Sequence, residues 1–526
     1  MGPAIVSSVT RTGDTLPARL DAICRARADA VALIDGVQRL TFAEARGLIE
    51  RVAGHLVSLG VDPGSVVSWQ LPNWWEAAVL HHAVLRAGGI PNPLNPAFRA
   101  HELRHIVAEA RPHILAVPET WRGFDHIGMA KELRQTWGMR YLVVRGRSCT
   151  TMRFEDLIEQ PAPAEPPPAP PDPGAHALLL YTSGTTSRPK GVQHTHRGLL
   201  AEIDTFPEIH GVTPEDRYLG APPVAHIAGL VYGFLVPFAL GTSTALLDRW
   251  DPAAALALIA RERVTFMTGP PTFLQTLADH PDAGTVDVSS FRLFSTGGAS
   301  IPTDVIRRAA ATLGCVVKRA YGSTEMPTLT ATMLQDDERA RLETDGRAIG
   351  DAEVRIVRTD GAPVAPGEEG EIWARGPELF TGYRDAGLDA EAFTADRWYR
   401  TGDLGTLDLE GLLRVTGRIA DIIIRGGENI AAKEIEDLLL EHPAVSEAAV
   451  FGLPDERLGE RVCAIVSVRD GAAFDETVML EHLRAAGIAT HKLPERLEAR
   501  DEPLPKTESG KIRKAELRAA LIASPS

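Results

Sequence analysis

The sequence predicts an α/β fold. A large N-terminal domain of α/β layers with a β-rich subdomain spans residues 1–417, and a small α+β C-terminal domain spans 418–526. Three observations predict this. Short apolar runs alternate with helical stretches, the pattern of largely parallel sheets covered by helices. Residues 353–375 (EVRIVRTDGAPVAPGEEGEIWAR) have hairpin character, with Asp360-Gly361 as the turn signal. Near residue 418 the pattern changes to a strand and helix unit with its own apolar faces, which puts a boundary at 417–421.

The elements follow in order. Residues 65–70 (SVVSWQ) read as a strand and 73–86 as the helix after it. Residues 161–174 (PAPAEPPPAPPDPG) exclude helix and central strand, because proline removes donors and fixes φ; an exposed loop tied at both ends is expected. An apolar run from His176 leads into a polar loop at 181–192 (YTSGTTSRPKGV). Strands at 244–248 and 264–268 are each followed by a helix, at 252–261 and 271–278. A strand at 291–295 passes through Gly297-Gly298 into a helix at 302–313, and a strand at 315–320 follows. No internal repeat is evident.

Composition narrows the function. Of 526 residues, 44% are hydrophobic and 24% charged, a globular composition. The formal charge of −15 argues against nucleic acid or anionic lipid as a partner. Cys24, Cys149, Cys315 and Cys463 form no CxxC pair, so free thiols in a reducing cytoplasm are expected. The first residues lack the apolar core of a signal peptide, and no run of about 18 apolar residues predicts a membrane span.

The loop at 181–192 carries chemistry. Backbone amides in a Gly/Ser/Thr turn form a nest for anions. Thr182, Ser183, Thr185 and Thr186 add hydroxyls, Gly184 and Gly191 allow close approach, and Lys190 adds a charge. Lysine occurs only eight times among 55 basic residues, so its use here is selective. Together these groups suit a polyphosphate. The loop is not a Walker A motif, since Gly191 and Val192 follow the lysine where Ser or Thr would stand.

Further motifs follow: YGSTE at 321–325, YRTGDL at 399–404, Gly417-Arg418, GGEN at 426–429 and TESGKI at 507–512. In this order, and over nearly the whole chain, the sequence resembles the adenylate-forming enzymes, the superfamily of acyl-CoA synthetases and adenylation domains. The resemblance implies a mobile C-terminal domain and a ligase. A carboxylic acid attacks the α-phosphate of ATP, giving acyl-AMP and pyrophosphate, and a thiol then displaces AMP.

The resemblance also implies residue roles. Thr182, Ser183, Gly184, Thr185, Thr186 and Lys190 would hold the β- and γ-phosphates. Glu325 would ligate Mg²⁺ with the Thr182 hydroxyl. Tyr321 would stack near adenine, lined by Gly298, Ala299 and Gly322, and Ser323 and Thr324 would complete the nucleotide site, Thr324 at the α-phosphate. Asp403 would take the ribose hydroxyls, with Arg418 as a second contact. Lys511 would reach in from the small domain to bridge the carboxylate and the α-phosphate. His226 would stand between the acyl pocket and the thiol channel, the latter containing Gly426 and Gly427. His194 and His196 read as structural.

The acyl pocket would be built from 222–233 (PPVAHIAGLVYG) and 295–300. Ala228, Gly229, Gly233, Gly297 and Gly298 are small, and Val224, Ile227, Leu230 and Val231 are apolar. No carboxylate lies between residues 222 and 241, where amino-acid-activating relatives carry an aspartate. Burying an unpaired ammonium is costly. An uncharged aliphatic or alicyclic acid is expected, and the stretch resembles that of medium-chain fatty acid and cyclohexanecarboxylate ligases. Two positions depart from the family. Ser187 replaces a glycine, and Ala420 replaces the Asp or Lys on which the small domain turns. The acceptor is therefore CoA or the phosphopantetheine of a carrier protein; a nucleotide-binding scaffold without activity is the reading from another class. A homodimer is left open.

Overall fold

The computed structural model describes residues 14–147, 152–164, 172–182, 189–298, 303–426, 428–469, 471–507 and 510–523. Its largest sheet has nine strands. In spatial order they are Arg347–Ala348, Thr330–Ala331, Val316–Tyr321, Leu293–Gly297, Phe266–Gly269, Arg217–Gly220, Ser243–Leu246, Val31–Asp35 and Gln38–Thr41. The six from Val316–Tyr321 to Val31–Asp35 are parallel, and antiparallel pairs close both edges. A second sheet is wholly parallel: Ile90–Pro93, Val66–Trp69, Ile114–Pro118 and Arg140–Val144. Its strand Ile114–Pro118 is buried at every residue, as expected when both faces are covered.

The strand and helix alternation is present where the sequence predicts it. Helices Trp75–Arg86, Pro252–Glu262, Pro271–Ala278 and Thr303–Leu313 follow their strands, with ends shifted by one or two residues. Local chemistry sets several starts. Pro252 and Pro271 stand in first turns, where the missing N–H costs nothing. Helix Phe42–Ser58 starts at a reciprocal cap: Glu44 N donates to Thr41 Oγ1 at 3.2 Å, and Thr41 N donates to Glu44 Oε2 at 2.8 Å.

The β-rich part comprises two antiparallel sheets. One joins Gly382–Tyr383, Gly191–Thr195 and His176–Tyr181; the other joins Glu353–Val357, Gly370–Arg375, Tyr399–Leu407 and Leu413–Arg418. The predicted turn at Asp360-Gly361 exists, with Gly361 at φ 80° and its N–H bonded to the Arg358 carbonyl at 2.8 Å. The paired strands are separated by twelve residues, though, so this is no two-residue hairpin. The last sheet joins Glu428–Ala431, Ile422–Arg425, Gly459–Val468 and Val445–Asp455, with Arg496–Arg500 parallel to Gly459–Val468. It has its own buried core, including Ile423, Ile435, Val450 and Val466. Residues 161–164 and 172–174 form neither helix nor strand. Cys24, Cys315 and Cys463 are buried free thiols; Cys149 lies outside the described residues. No described helix is long and apolar enough to cross a membrane.

Candidate active site

A cavity of about 730 Å³ opens at the carboxyl ends of the parallel strands of the nine-stranded sheet, the usual place for ligands on open α/β sheets. Strand Leu293–Gly297 delivers Gly297 and Gly298, and strand Val316–Tyr321 delivers Tyr321 and Gly322. Gly298 has φ +81°, a conformation that side chains rarely adopt. The antiparallel pair His176–Tyr181 and Gly191–Thr195 delivers Thr182 and Lys190 to the same cavity. Thr182 and Lys190 are tied together: Thr182 N donates to the Lys190 carbonyl at 3.0 Å, and Lys190 N donates to Thr182 Oγ1 at 3.3 Å. The Lys190 ammonium lies 5.2 Å from the Tyr383 ring centre.

Charged groups converge from distant segments of the chain. Asp403 and Arg418 are partners across strands Tyr399–Leu407 and Leu413–Arg418. Arg418 Nε sits 2.7 Å from Asp403 Oδ1, and Tyr321 Oη donates to Asp403 Oδ2 at 2.6 Å. Burial, together with the Asp403 charge, pushes the Tyr321 phenol well above its ordinary range. Glu325 accepts a 2.8 Å hydrogen bond from Tyr383 Oη at Oε1. Lys511 enters from the C-terminal unit and lines the cavity with these groups. Burial first, and then the Arg418 charge, lower its ammonium pKa, while Asp403 and Glu325 pull the other way. Burial and the Lys511 charge push His226 down to about 4, so its imidazole is neutral at pH 7.

The structure thus brings Thr182, Lys190, His226, Ala228, Gly297, Gly298, Tyr321, Gly322, Ser323, Thr324, Glu325, Asp403, Arg418, Ala420 and Lys511 to one cavity. Ser183, Gly184, Thr185, Thr186, Ser187, Ala299 and Gly427 lie outside the described residues. Gly229 does not line the cavity. A Cβ there would lie 2.1 Å from the Pro223 carbonyl oxygen, so glycine is needed for backbone packing and not for space in the pocket. Gly233 is also off the lining, near Val224. Gly426 follows the strand Ile422–Arg425 and is likewise off the lining of the cavity. Ala420 sits in the short 3₁₀ turn Ile419–Asp421 that joins the two units.

Three contributors escape sequence reasoning. His194 is buried and donates from Nε2 to the Thr324 carbonyl at 2.8 Å, which fixes the YGSTE loop. Tyr383 holds Glu325. Glu202, from helix His196–Asp204, borders the cavity although it lies outside the stretch 222–241. The signal for His194 and Glu202 was the polar residue on an otherwise apolar strand or helix face. The backbone from His226 also widens into a π turn at Val231–Leu235. Pro237 follows and has no N–H to give to the carbonyl four residues back, which loosens the turn.

This set of groups can hold a polyanion between Lys190, Arg418 and Lys511, and a neighbouring apolar body against Ile227, Ala228 and Val231. A buried carboxylate, Glu325, and a hydroxyl, Thr182, on one cavity also suit a hard cation completed by phosphate oxygens and water. Among the described residues no group of three or more His, Cys, Asp or Glu could hold a metal alone.

Comparison with known proteins agrees with this geometry. The family model "AMP-binding enzyme" matches residues 20–384, and "AMP-binding enzyme C-terminal domain" matches 434–511. The chain is 36% identical over 512 residues to the salicyl-AMP ligase / salicyl-S-ArCP synthetase of Mycobacterium tuberculosis, covering 96% of this chain and 90% of the relative. It is 32% identical over 511 residues to the medium-chain fatty-acid–CoA ligase of Escherichia coli, covering 94% and 88%. Among solved structures, ATP-bound MatB from Rhodopseudomonas palustris superimposes with a TM-score of 0.89 at 30% identity, covering 97% of this chain and 99% of that one.

Proposed function

Because the chain belongs to the AMP-binding enzyme family, and is an adenylate-forming acid–thiol ligase of that family, we propose that it activates a carboxylic acid with a mainly apolar body and passes the acyl group to CoA. The observation that carries this reading is the single cavity shared by Lys190, Glu325, Asp403 and Lys511, which come from distant segments of the chain and from both units.

In the first half-reaction a carboxylate oxygen bonds to the α-phosphorus of ATP. The bond from that phosphorus to the bridging oxygen breaks, and pyrophosphate leaves. Two anions must approach each other, so the developing charge needs fixed cations in a water-poor site. Lys511, which lines the cavity, would sit between carboxylate and α-phosphate. Its burial and its neighbour Arg418 make the ammonium eager to gain an anionic partner. Lys190 and the loop that begins at Thr182 hold the departing pyrophosphate. Asp403 takes the ribose hydroxyls; its partners Tyr321 and Arg418 fix its orientation beforehand. Thr324 meets the α-phosphate, and His194 holds its backbone in place. A Mg²⁺ ion bound by Glu325 and the Thr182 hydroxyl would offset the charge of the triphosphate. Neutral His226 stands at the mouth between acid and thiol. In the second half-reaction the thiol gives up its proton to solvent, its sulfur bonds to the acyl carbon, and AMP leaves with the electron pair of the broken C–O bond.

Ile227, Ala228 and Val231 support an apolar acyl group, aliphatic or alicyclic. A second acceptor, the phosphopantetheine of a carrier protein, is favoured by one feature: Ala420 gives the joint no charged side chain to hold either orientation. Acid-dependent pyrophosphate release over a panel of aliphatic, alicyclic and aryl acids, with CoA, a carrier protein or neither, tests the reading. Release that is independent of any acid would overturn it, and thioester formation with CoA alone would remove the carrier alternative.

A further inference from the structure

Glu202 lies on helix His196–Asp204, is 1% exposed and borders the cavity. Its Oε1 accepts a 2.7 Å hydrogen bond from Thr328 Oγ1, and its Oε2 has no partner. Among the described residues no Lys or Arg forms an ion pair with it. Burial holds its carboxyl up to about 8, with the Glu378 charge adding to the rise, so it is largely neutral at pH 7. A half-satisfied buried carboxyl costs free energy, and leucine would fill the site without that cost. A polar group of this kind on a cavity wall is accounted for by something that enters the cavity.

The position separates Glu202 from the reacting groups. The charges that act on Lys511 are Arg418, Asp403 and Glu325. Glu202 instead sits with Thr328 and near Tyr232, whose phenol its charge pushes up. Tyr232 follows Ile227, Ala228 and Val231 on the apolar wall, and its own Oη is 2.5 Å from His210 Nε2. Oε2 of Glu202 is therefore a buried polar atom beside that wall with no partner of its own.

Resting on the adenylation reading above, we propose that Glu202 is the selectivity residue of the acyl site and recognises a hydroxyl or amino substituent on the body of the acid, away from its reacting carboxylate. A hydroxyl pairs with Oε2 in either protonation state, as acceptor from the neutral acid or as donor to the carboxylate. An amine takes the proton and forms an ion pair. A methyl group of the same size leaves Oε2 buried and unpaired, which is how such sites reject apolar isosteres.

The test uses the full-length enzyme and matched acids: benzoates substituted at the 2-, 3- or 4-position, and hexanoates at the 6-position, each carrying hydroxyl, amino or methyl. Two readouts are taken. One is kcat/KM for pyrophosphate release; the other is equilibrium binding, by calorimetry, to enzyme saturated with a non-hydrolysable ATP analogue. The expected result is a preference of at least about tenfold for the hydroxyl or amino acid over its methyl partner at one or more positions. That ratio falls to near one in Glu202→Leu and falls in part in Thr328→Val, which removes the hydroxyl that holds the carboxyl. Each readout is a ratio of two acids on one sample, so partial misfolding cancels. The hydroxyl and amino arms identify which group is natural. The proposal is overturned if the wild-type enzyme shows no preference at any position, or if the preference survives Glu202→Leu, which would make the Thr328 contact a structural tie only. Absence of pyrophosphate with every acid would remove the adenylation reading, while the binding ratios would still judge Glu202.

Discussion

Tyr321 Oη donates to Asp403 Oδ2 at 2.6 Å, across 82 positions of sequence and between two different sheets. The bond joins the end of a parallel strand to an antiparallel one, and Arg418 holds the other Asp403 oxygen. A carboxylate fixed on both sides presents its remaining lone pairs in one direction. Tyr321→Phe keeps the ring and removes only the donor. The expected outcome is a loss of about 1–2 kcal/mol in stability to denaturant and a rise in KM for ATP of roughly threefold to tenfold, with kcat changed less. An unchanged KM would mean that Arg418 alone orients Asp403.

Lys511 gives a pH prediction. In the role proposed for it the ammonium must be charged to bridge two anions, so activity is expected to be complete below its pKa and lost as pH rises through it. Burial and Arg418 lower that pKa from the ordinary 10.5. The alkaline limb of kcat/KM, which reports the free enzyme, is expected below the usual lysine range. Arg418→Gln removes one of the lowering charges and should move the limb to higher pH, whatever it does to the rate. Lys511→Ala should abolish the limb and slow adenylation by about a hundredfold or more, the scale of losing one positioned charge at a transition state, with the thermal midpoint nearly unchanged.

Much of this was legible in the sequence because the parallel strands are short apolar runs with punctuation. Residues 291–298 show it: an apolar run, then two glycines, then a helix. The cavity residues on motifs were legible for the same reason, since each motif is contiguous. Gly229 was misread because a small residue looks the same whether it clears space for a ligand or for the Pro223 carbonyl; only the direction of the missing Cβ separates the two. Glu202 is not legible because the cavity wall is assembled from segments far apart in the chain, and residues 222–241 carry no sign of helix His196–Asp204. His194 reads as structural from the sequence, and its bond to the Thr324 carbonyl makes it a structural support of the cavity loop.

Glu202 also makes stability depend on pH. A carboxyl that is neutral in the fold and ionises freely in the unfolded chain favours folding at low pH and opposes it as pH rises. Its folded value of about 8 against the ordinary 4.5 sets the window between those two values. Glu202→Gln keeps an acceptor for Thr328 and cannot ionise. The variant should match the wild type near pH 5 and exceed it increasingly up to pH 8, by on the order of 2–3 kcal/mol at pH 7. Thermal midpoints measured at one-unit pH steps check this; a constant difference across the range would mean that Glu202 keeps an ordinary carboxyl.

Gly229 and Gly298 make a matched pair of glycines near one cavity, and they fail for different reasons. At Gly229 an added Cβ would lie 2.1 Å from the Pro223 oxygen and 2.6 Å from the Pro222 oxygen, both backbone atoms that cannot rotate away. Gly229→Ala must therefore shift the turn that starts the helix Ile227–Leu230, next to His226 and Ala228. Overpacking of this kind costs about 1–3 kcal/mol, and the displaced wall should raise KM for the acid more than KM for ATP. At Gly298 nothing lies within 4 Å of an added Cβ, but φ is +81°. Gly298→Ala meets only backbone strain, about 1 kcal/mol, and sets a methyl in the part of the cavity proposed for the nucleotide, so KM for ATP should rise instead. Urea denaturation together with KM for both substrates separates the two variants. Equal effects on acid and ATP from Gly229→Ala would show that its turn supports the whole fold and not the acyl wall in particular.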